Sequence, residues 1–329
     1  MLKLLERYNV DESAIETLVE RRKTLSVVSM FSGCGGMDLG FLGGFSTLGT
    51  IYPKNRYQII WANDFNQAAC RTYRANLGHD VHVGSIWDVM HSLPVADDVD
   101  VVIGGFPCQD ISVNGKRRGI SGNRSGLYRA MVEVVKRVKP KAFVAENVKG
   151  LLMKHNHGSL EIVMNDFREL GYDVSYHLYH AADYGVPQSR ERVFIVGVKS
   201  GLGCFTPPVP SHSPEQWISA SQALSDLEDV AETEAFNHVW SKAKRSGEQG
   251  NRKLKPDRVA YTIRAECHGN IQYHYNLDRR ISMREAARIQ SFPDNFIFHS
   301  KIRETERQVG NAVPPVLAWH VARRLAEVI

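Results

Sequence analysis

The chain has 329 residues, enough for about two domains at roughly 150 residues each. Hydrophobic residues at 43% and charged residues at 23% exclude long disorder, and no run of about 18 apolar residues is present to span a bilayer. Lys and Arg number 41 against 36 Asp and Glu, a net charge of only +5, so a polyanionic partner has to be sought in local clusters of charge.

Residues 1–23 read as an amphipathic helical extension, with Leu2, Leu5, Ile15, Leu18 and Val19 apolar. Acidic residues stand where a secretion signal would have its apolar stretch, and a soluble, cytoplasmic protein is expected. From Ser26 to about Val198, short apolar runs alternate with longer amphipathic stretches, the pattern of βα units building a parallel sheet. This predicts an α/β domain over 1–198, with strands at 26–31, 57–62, 81–84, 100–105, 142–146, 173–179 and 192–198. Asn66–Leu77 and Gly126–Val138 carry apolar residues at helical spacing, and Pro140 stops the second helix. After Val198, Pro207, Pro208, Pro210 and Pro214 introduce Ser-rich and charged sequence, which predicts a second, smaller irregular domain over 199–281. Residues 282–329 return to helical patterning, with a final helix at Val316–Val328 packed back on the first domain.

In an open parallel sheet, ligands bind beyond the carboxyl ends of the strands. The first strand ends in FSGCGG (31–36), a glycine turn that either lets backbone approach a ligand or is merely tight. Asp38 stands where a dinucleotide fingerprint has its third glycine, which disfavours a nicotinamide cofactor. The second strand ends at Asn63, Asp64 and Phe65, where Asp64 can accept ribose hydroxyls or cap the next helix, and Phe65 can stack on a purine. The fourth ends in GGFPCQDIS (104–112), which places a thiol at the ligand edge. The five cysteines (Cys34, Cys70, Cys108, Cys204, Cys267) include no CxxC pair, and Cys108 is the one positioned to work. Downstream, Lys116, Arg117, Arg118, Arg124 and Arg129 lie among glycines without an acidic residue, the composition of a loop closing on a phosphate backbone or of a plain solvated loop. The fifth strand ends at Glu146, whose apolar surroundings should raise its pKa, followed by Asn147 as a helix cap. Finally, QSRER (188–192) lets Arg190 or Arg192 point a guanidinium into the same cleft.

Together with REAARIQSFP (284–293) and QVGNAVPP (308–315), these segments resemble the ordered motifs of the cytosine-C5 DNA methyltransferases of bacterial restriction-modification systems, over most of the chain. The resemblance implies a Rossmann-like S-adenosylmethionine-dependent methyltransferase sheet, with 199–281 as the target-recognition domain. It implies catalysis by Cys108, Glu146, Arg190 and Arg192. It implies cofactor binding by Phe31, Ser32, Gly33, Gly35, Gly36, Asp64, Phe65, Ser85, Ile86, Gly105, Pro107, Leu127, Asn311 and Val313. S-adenosylhomocysteine would be the product, and no metal is implied. Ser85 departs from the family, which usually has an acidic residue facing the adenine there. Double-stranded DNA would be the partner, gripped by Gln109, Ser112, Lys116, Arg117, Arg118, Arg124, Arg252, Lys253, Lys255 and Arg258.

Across 241–264, eight basic residues (Lys242, Lys244, Arg245, Arg252, Lys253, Lys255, Arg258, Arg264) face only Glu248 and Asp257, the polyanion site that the overall charge conceals. A monomer is expected; whether a restriction endonuclease is its functional partner is not written in the chain. Rival readings are an RNA cytosine methyltransferase, an amino-group methyltransferase, a nicotinamide oxidoreductase and a catalytically silent DNA-binding protein. The pair His155 and His157 reads as surface, the motif 284–293 as a support without chemistry, and Cys34, Cys70, Cys204 and Cys267 as unreactive.

Overall fold

The computed structural model describes residues 24–106, 126–242, 252–265 and 272–329. Seven strands form one sheet: β1 (Leu25–Met30), β2 (Tyr57–Asp64), β3 (His82–Val83), β4 (Val101–Gly105), β5 (Ala142–Val148), β6 (Tyr172–His180) and β7 (Glu191–Lys199), in the spatial order β3-β2-β1-β4-β5-β7-β6. The first five are mutually parallel, and β7 runs antiparallel to both of its neighbours. The expectation of a wholly parallel sheet is therefore corrected at β7. Only residues 181–190 separate β6 from β7, too short a connection for the helical crossover that a parallel pair requires.

Alternation along each strand builds a core on both faces. Val27, Val101, Ile103, Val144, Phe194 and Val196 point to one side, packed against α1 (Gly36–Leu42) and the C-terminal helix. Val28, Val102, Phe143, Ala145, Val193 and Ile195 point to the other, toward α3 (Leu127–Val138) and α4 (His157–Arg168). On that second face Phe143 stacks on Phe167 with centroids 4.0 Å apart. Gly197, opposite Phe143 in the ladder, leaves room for the ring, since a Cβ there would lie 2.0 Å from it. Between β2 and β3, α2 (Gln67–Leu77) is capped by Asn66, whose side-chain oxygen accepts the Ala68 and Ala69 N–H groups.

The described part of 199–281 is irregular, as expected, with a short helix at Ala220–Leu224 and a two-residue strand, Ala260–Tyr261, beside Gln188–Ser189. Its buried residues Phe205, Leu224, Leu254 and Ile263 belong to the same cluster as α1 and the C-terminal helices. The C-terminal segment contains α5 (Met283–Ile289), α6 (Ile302–Asn311) and α7 (Pro315–Ala326). Arg284 is fully buried and donates to the carbonyls of Phe236, Pro293 and Phe296, the structural role expected of its motif. No helix among the described residues is long and apolar enough to cross a membrane. The N-terminal extension and Cys267 lie outside the described residues.

Candidate active site

The chain turns sharply as β1 ends: Phe31 has φ of 53°, Gly33 of 55° and Gly35 of 93°. A bulky residue in the left-handed region costs on the order of 1–3 kcal/mol and persists only where its surroundings impose it. Here the Ser32 N–H and hydroxyl both donate to the Asn63 carbonyl at 3.0 Å, and the Gly33 N–H donates to Asp64 Oδ2 at 2.8 Å. Beyond the turn, a Cβ on Gly36 would lie 2.5 Å from the Val313 carbonyl oxygen, so glycine lets residues 312–313 close on the start of α1. A Cβ on Gly33 would meet nothing within 4 Å, which leaves the turn open on its outer side. Val313 is thus buried beside the turn, while Asn311 is exposed at the end of α6.

Asp64 is buried and does not cap α2. Its Oδ1 accepts the Asn66 N–H at 2.7 Å while Oδ2 holds Gly33, so it ties two strand ends together. Burial pushes its pKa up, and the N–H groups of Asn66 and Gly33 oppose that shift. Phe65, next in sequence, is 76% exposed, a large apolar ring left in water at the cleft. Asn63 fixes the third strand end by donating to the His82 carbonyl at 2.8 Å and the Gly84 carbonyl at 3.0 Å. Ser85 follows, half-buried and making no side-chain cap to the helical turn that Ile86 starts.

Glu146 and Arg192 meet across the β5–β7 ladder, Arg192 Nε standing 2.8 Å from Glu146 Oε1 with both side chains only about a tenth exposed (12% and 10%). Burial raises the Glu146 pKa, opposed by the positive charges of Arg192 and Arg190. The same burial lowers the Arg192 pKa against the pull of Glu146. Gly105 makes room for the pair, because a Cβ there would sit 3.0 Å from Glu146 Oε2. Asn147 lies within β5 rather than capping a helix, and its Nδ2 donates to the Phe106 carbonyl at 2.9 Å. That bond fixes the backbone where β4 hands over to residues 107–125, which lie outside the described residues together with Pro107, Cys108, Gln109, Ser112, Lys116, Arg117, Arg118 and Arg124. On the far side the chain resumes at Gly126, with Leu127 half-buried at the start of α3.

Arg190 is held by different partners from Arg192. It is 1% exposed, and its guanidinium donates to the carbonyls of Ile263 (2.9 Å), Gly310 (2.8 Å) and Ala312 (3.0 Å). Gln188 and Gln290, whose roles sequence reasoning missed although both lie inside quoted motifs, complete this tie. Gln188 Nε2 donates to Gln290 Oε1 at 2.5 Å, and Gln188 Oε1 accepts the Ile263 N–H at 3.0 Å. The chain before β7, the segment around Ile263 and the residues after α6 are thus locked together.

Arg252, Lys253, Lys255, Arg258 and Arg264 are all exposed, with Arg252 lying over the Tyr261 ring at 5.3 Å. Lys242 differs, because Glu232, from outside the span 241–264, pairs with it at 2.6 Å. Lys244 and Arg245 lie outside the described residues. Cys34 is buried and its thiol pushed up to about 12 by desolvation, consistent with an inert residue. Among the described residues no group of three or more His, Cys, Asp or Glu side chains could hold a metal ion.

The sequence profile of the family described as C-5 cytosine-specific DNA methylase matches residues 25–256 and 231–327. Type II methyltransferase M.NgoFVII of Neisseria gonorrhoeae is 37% identical over 321 residues, covering 88% of this chain and 83% of that protein. Type II methyltransferase M.FnuDI of Fusobacterium nucleatum is 34% identical, covering 93% and 95%. Among solved structures, a protein encoded within an E. coli prophage superposes with a TM-score of 0.71 at 22% identity, over 92% of this chain and 99% of that one. The Dnmt2 methyltransferase of S. pombe does so with 0.64 at 19%, over 92% and 98%. The chain belongs to the C-5 cytosine-specific DNA methylase family and is a DNA (cytosine-5-)-methyltransferase.

Proposed function

We propose that this enzyme methylates C5 of a flipped cytosine within a specific duplex DNA site, with Cys108 as the nucleophile. The observation that carries the reading is the buried Glu146–Arg192 pair, one residue from the Asn147 side chain that anchors Phe106, two positions before Cys108. C5 lies covered in the stack of duplex DNA, so the base is extruded at a cost of a few kcal/mol.

The Cys108 thiolate adds to C6 and pushes electron density toward C5. Glu146, whose pKa is raised by burial, shares or donates a proton at N3, and Arg192 holds O2. After transfer the C5 proton leaves and Cys108 departs by β-elimination. S-adenosylmethionine, when bound, supplies an electrophilic methyl on a sulfonium and leaves as S-adenosylhomocysteine. The strand ends fit such a group: Phe65 offers an exposed ring to the purine and the Gly33 turn an open backbone, while Asp64, whose oxygens already accept the Gly33 and Asn66 N–H groups, would take ribose hydroxyls on its remaining lone pairs. Phe31, Ser32, Gly35, Gly36, Ser85, Ile86, Gly105, Pro107, Leu127, Asn311 and Val313 would line it.

The exposed cations Arg252, Lys253, Lys255 and Arg258, with the basic segment after Cys108, would grip the phosphates. Both relatives carry the name Type II methyltransferase, and this enzyme would act as a cytoplasmic monomer protecting DNA from a paired endonuclease. Incubation with unmethylated duplex DNA and methyl-labelled S-adenosylmethionine, followed by nucleoside analysis, tests the reading. Label in 5-methylcytosine is expected. Label in N4-methylcytosine, or transfer only to RNA, would overturn it.

A further inference from the structure

The segment that leads to Arg264 is held far more tightly than an irregular surface strand requires. Ile263 has its N–H on Gln188 Oε1 at 3.0 Å and its carbonyl on Arg190 Nη1 at 2.9 Å, while the Thr262 hydroxyl donates to the Ser189 carbonyl at 2.5 Å. On the other side the backbone of Arg264 and Ala265 presses on Gly310, where a Cβ would stand 2.4 Å from the Arg264 carbonyl carbon. Arg190, which holds Ile263, also holds Gly310 and Ala312, and Arg192 of the Glu146 pair lies two residues further along the same chain. Arg264 therefore leaves a firmly anchored backbone. Its own side chain is exposed and has no acidic partner among the described residues.

We propose that Arg264 is a specificity-determining residue that reads a guanine in the recognised DNA site. The inference rests on the function proposed above and adds a named contact to it. Arginine presents a planar fork that matches O6 and N7 of guanine in the major groove, and a fixed backbone spares part of the ordering cost of that contact. A phosphate contact would position the enzyme without distinguishing bases, so loss of Arg264 would then weaken all sequences alike.

The experiment uses the full-length enzyme and a random-sequence duplex library, with methylated cytosines mapped by sequencing. Wild type should give a consensus, and Arg264→Ala should relax one guanine position by roughly 10- to 100-fold while the other positions stay fixed. Arg264→Lys should relax the same position. Competition binding supplies a readout that does not require turnover. Duplexes with 7-deazaguanine at that position should bind wild type more weakly and Arg264→Ala no differently from guanine. An unchanged consensus, or a uniform loss of affinity for all sequences, overturns the assignment of Arg264 while leaving the methyltransferase reading intact. Absence of any 5-methylcytosine with wild type overturns that reading itself.

Discussion

Glu146 and Arg192 form a nearly buried ion pair, and such a pair behaves asymmetrically: assembling it gains little net stability, whereas removing one member leaves a charge stranded in low dielectric. Arg192→Ala should therefore destabilise the enzyme by about 3–5 kcal/mol in denaturant titrations, well beyond the loss of an exposed pair. Glu146→Gln keeps the shape and removes the titrating proton. Because it also strands the Arg192 charge it should lower the unfolding midpoint, but assayed where the variant is still folded it should lower kcat by about 10²- to 10⁴-fold, and near wild-type turnover would remove Glu146 from the proton-transfer role.

A second residue-scale consequence concerns Asp38, fully buried against the Tyr73 hydroxyl, with a pKa raised from 3.8 to about 6 by desolvation. A raised folded-state pKa means that the native protein binds the proton more tightly than the unfolded chain. The stability it contributes is full below about pH 4 and is lost as pH rises toward 6. Asp38→Asn, which keeps an acceptor for Tyr73, should flatten that decline by an amount on the order of 1–3 kcal/mol, measured as unfolding free energy against pH. A variant profile parallel to wild type would contradict the assignment.

At the scale of elements, the sheet was largely legible because apolar runs bounded by turn residues mark buried strands whichever way they run. Direction was not legible in the same way, since an apolar run reads identically in a parallel or an antiparallel place. The short stretch 181–190 held the deciding information for β7. Arg190 and Arg192 illustrate a finer limit: two residues apart, they would share a face in a continuous strand. A break at Arg190 between Gln188–Ser189 and β7 separates them, and the buried carbonyls of Ile263, Gly310 and Ala312 claim the first. Those partners come from remote parts of the chain, so no local pattern could announce them. The Asn147 bond to Phe106 is of the same kind, joining two neighbouring strands that are distant in sequence. The packing of this element also makes a prediction. Gly197→Ala would thrust a methyl into the Phe143 ring and should cost about 1–3 kcal/mol, read as a lowered denaturant midpoint with an unchanged slope. An unchanged midpoint would mean that the Phe143–Phe167 stack yields more readily than its close packing implies.

For the molecule as a whole, a net charge of +5 understates the local positive charge proposed to meet DNA, because the exposed Arg252, Lys253, Lys255 and Arg258 fall within seven residues of one another. If each neutralises a phosphate, affinity falls steeply with salt, and replacing any one by Ala should reduce the slope of log K against log salt by about 0.9. A slope unchanged in all four variants would move the DNA to another face. The chemistry proposed above, in turn, depends on one sulfur atom. The most direct test offers the enzyme duplex DNA from its own recognised site with 5-fluorocytosine at the target, together with S-adenosylmethionine, and looks for a protein–DNA adduct by denaturing electrophoresis and peptide mass spectrometry. Fluorine at C5 cannot leave as a proton, so a stable adduct at Cys108 is expected, absent in Cys108→Ala although that variant still binds the DNA. An adduct that forms equally well with Cys108 replaced, or maps to another residue, would contradict the account.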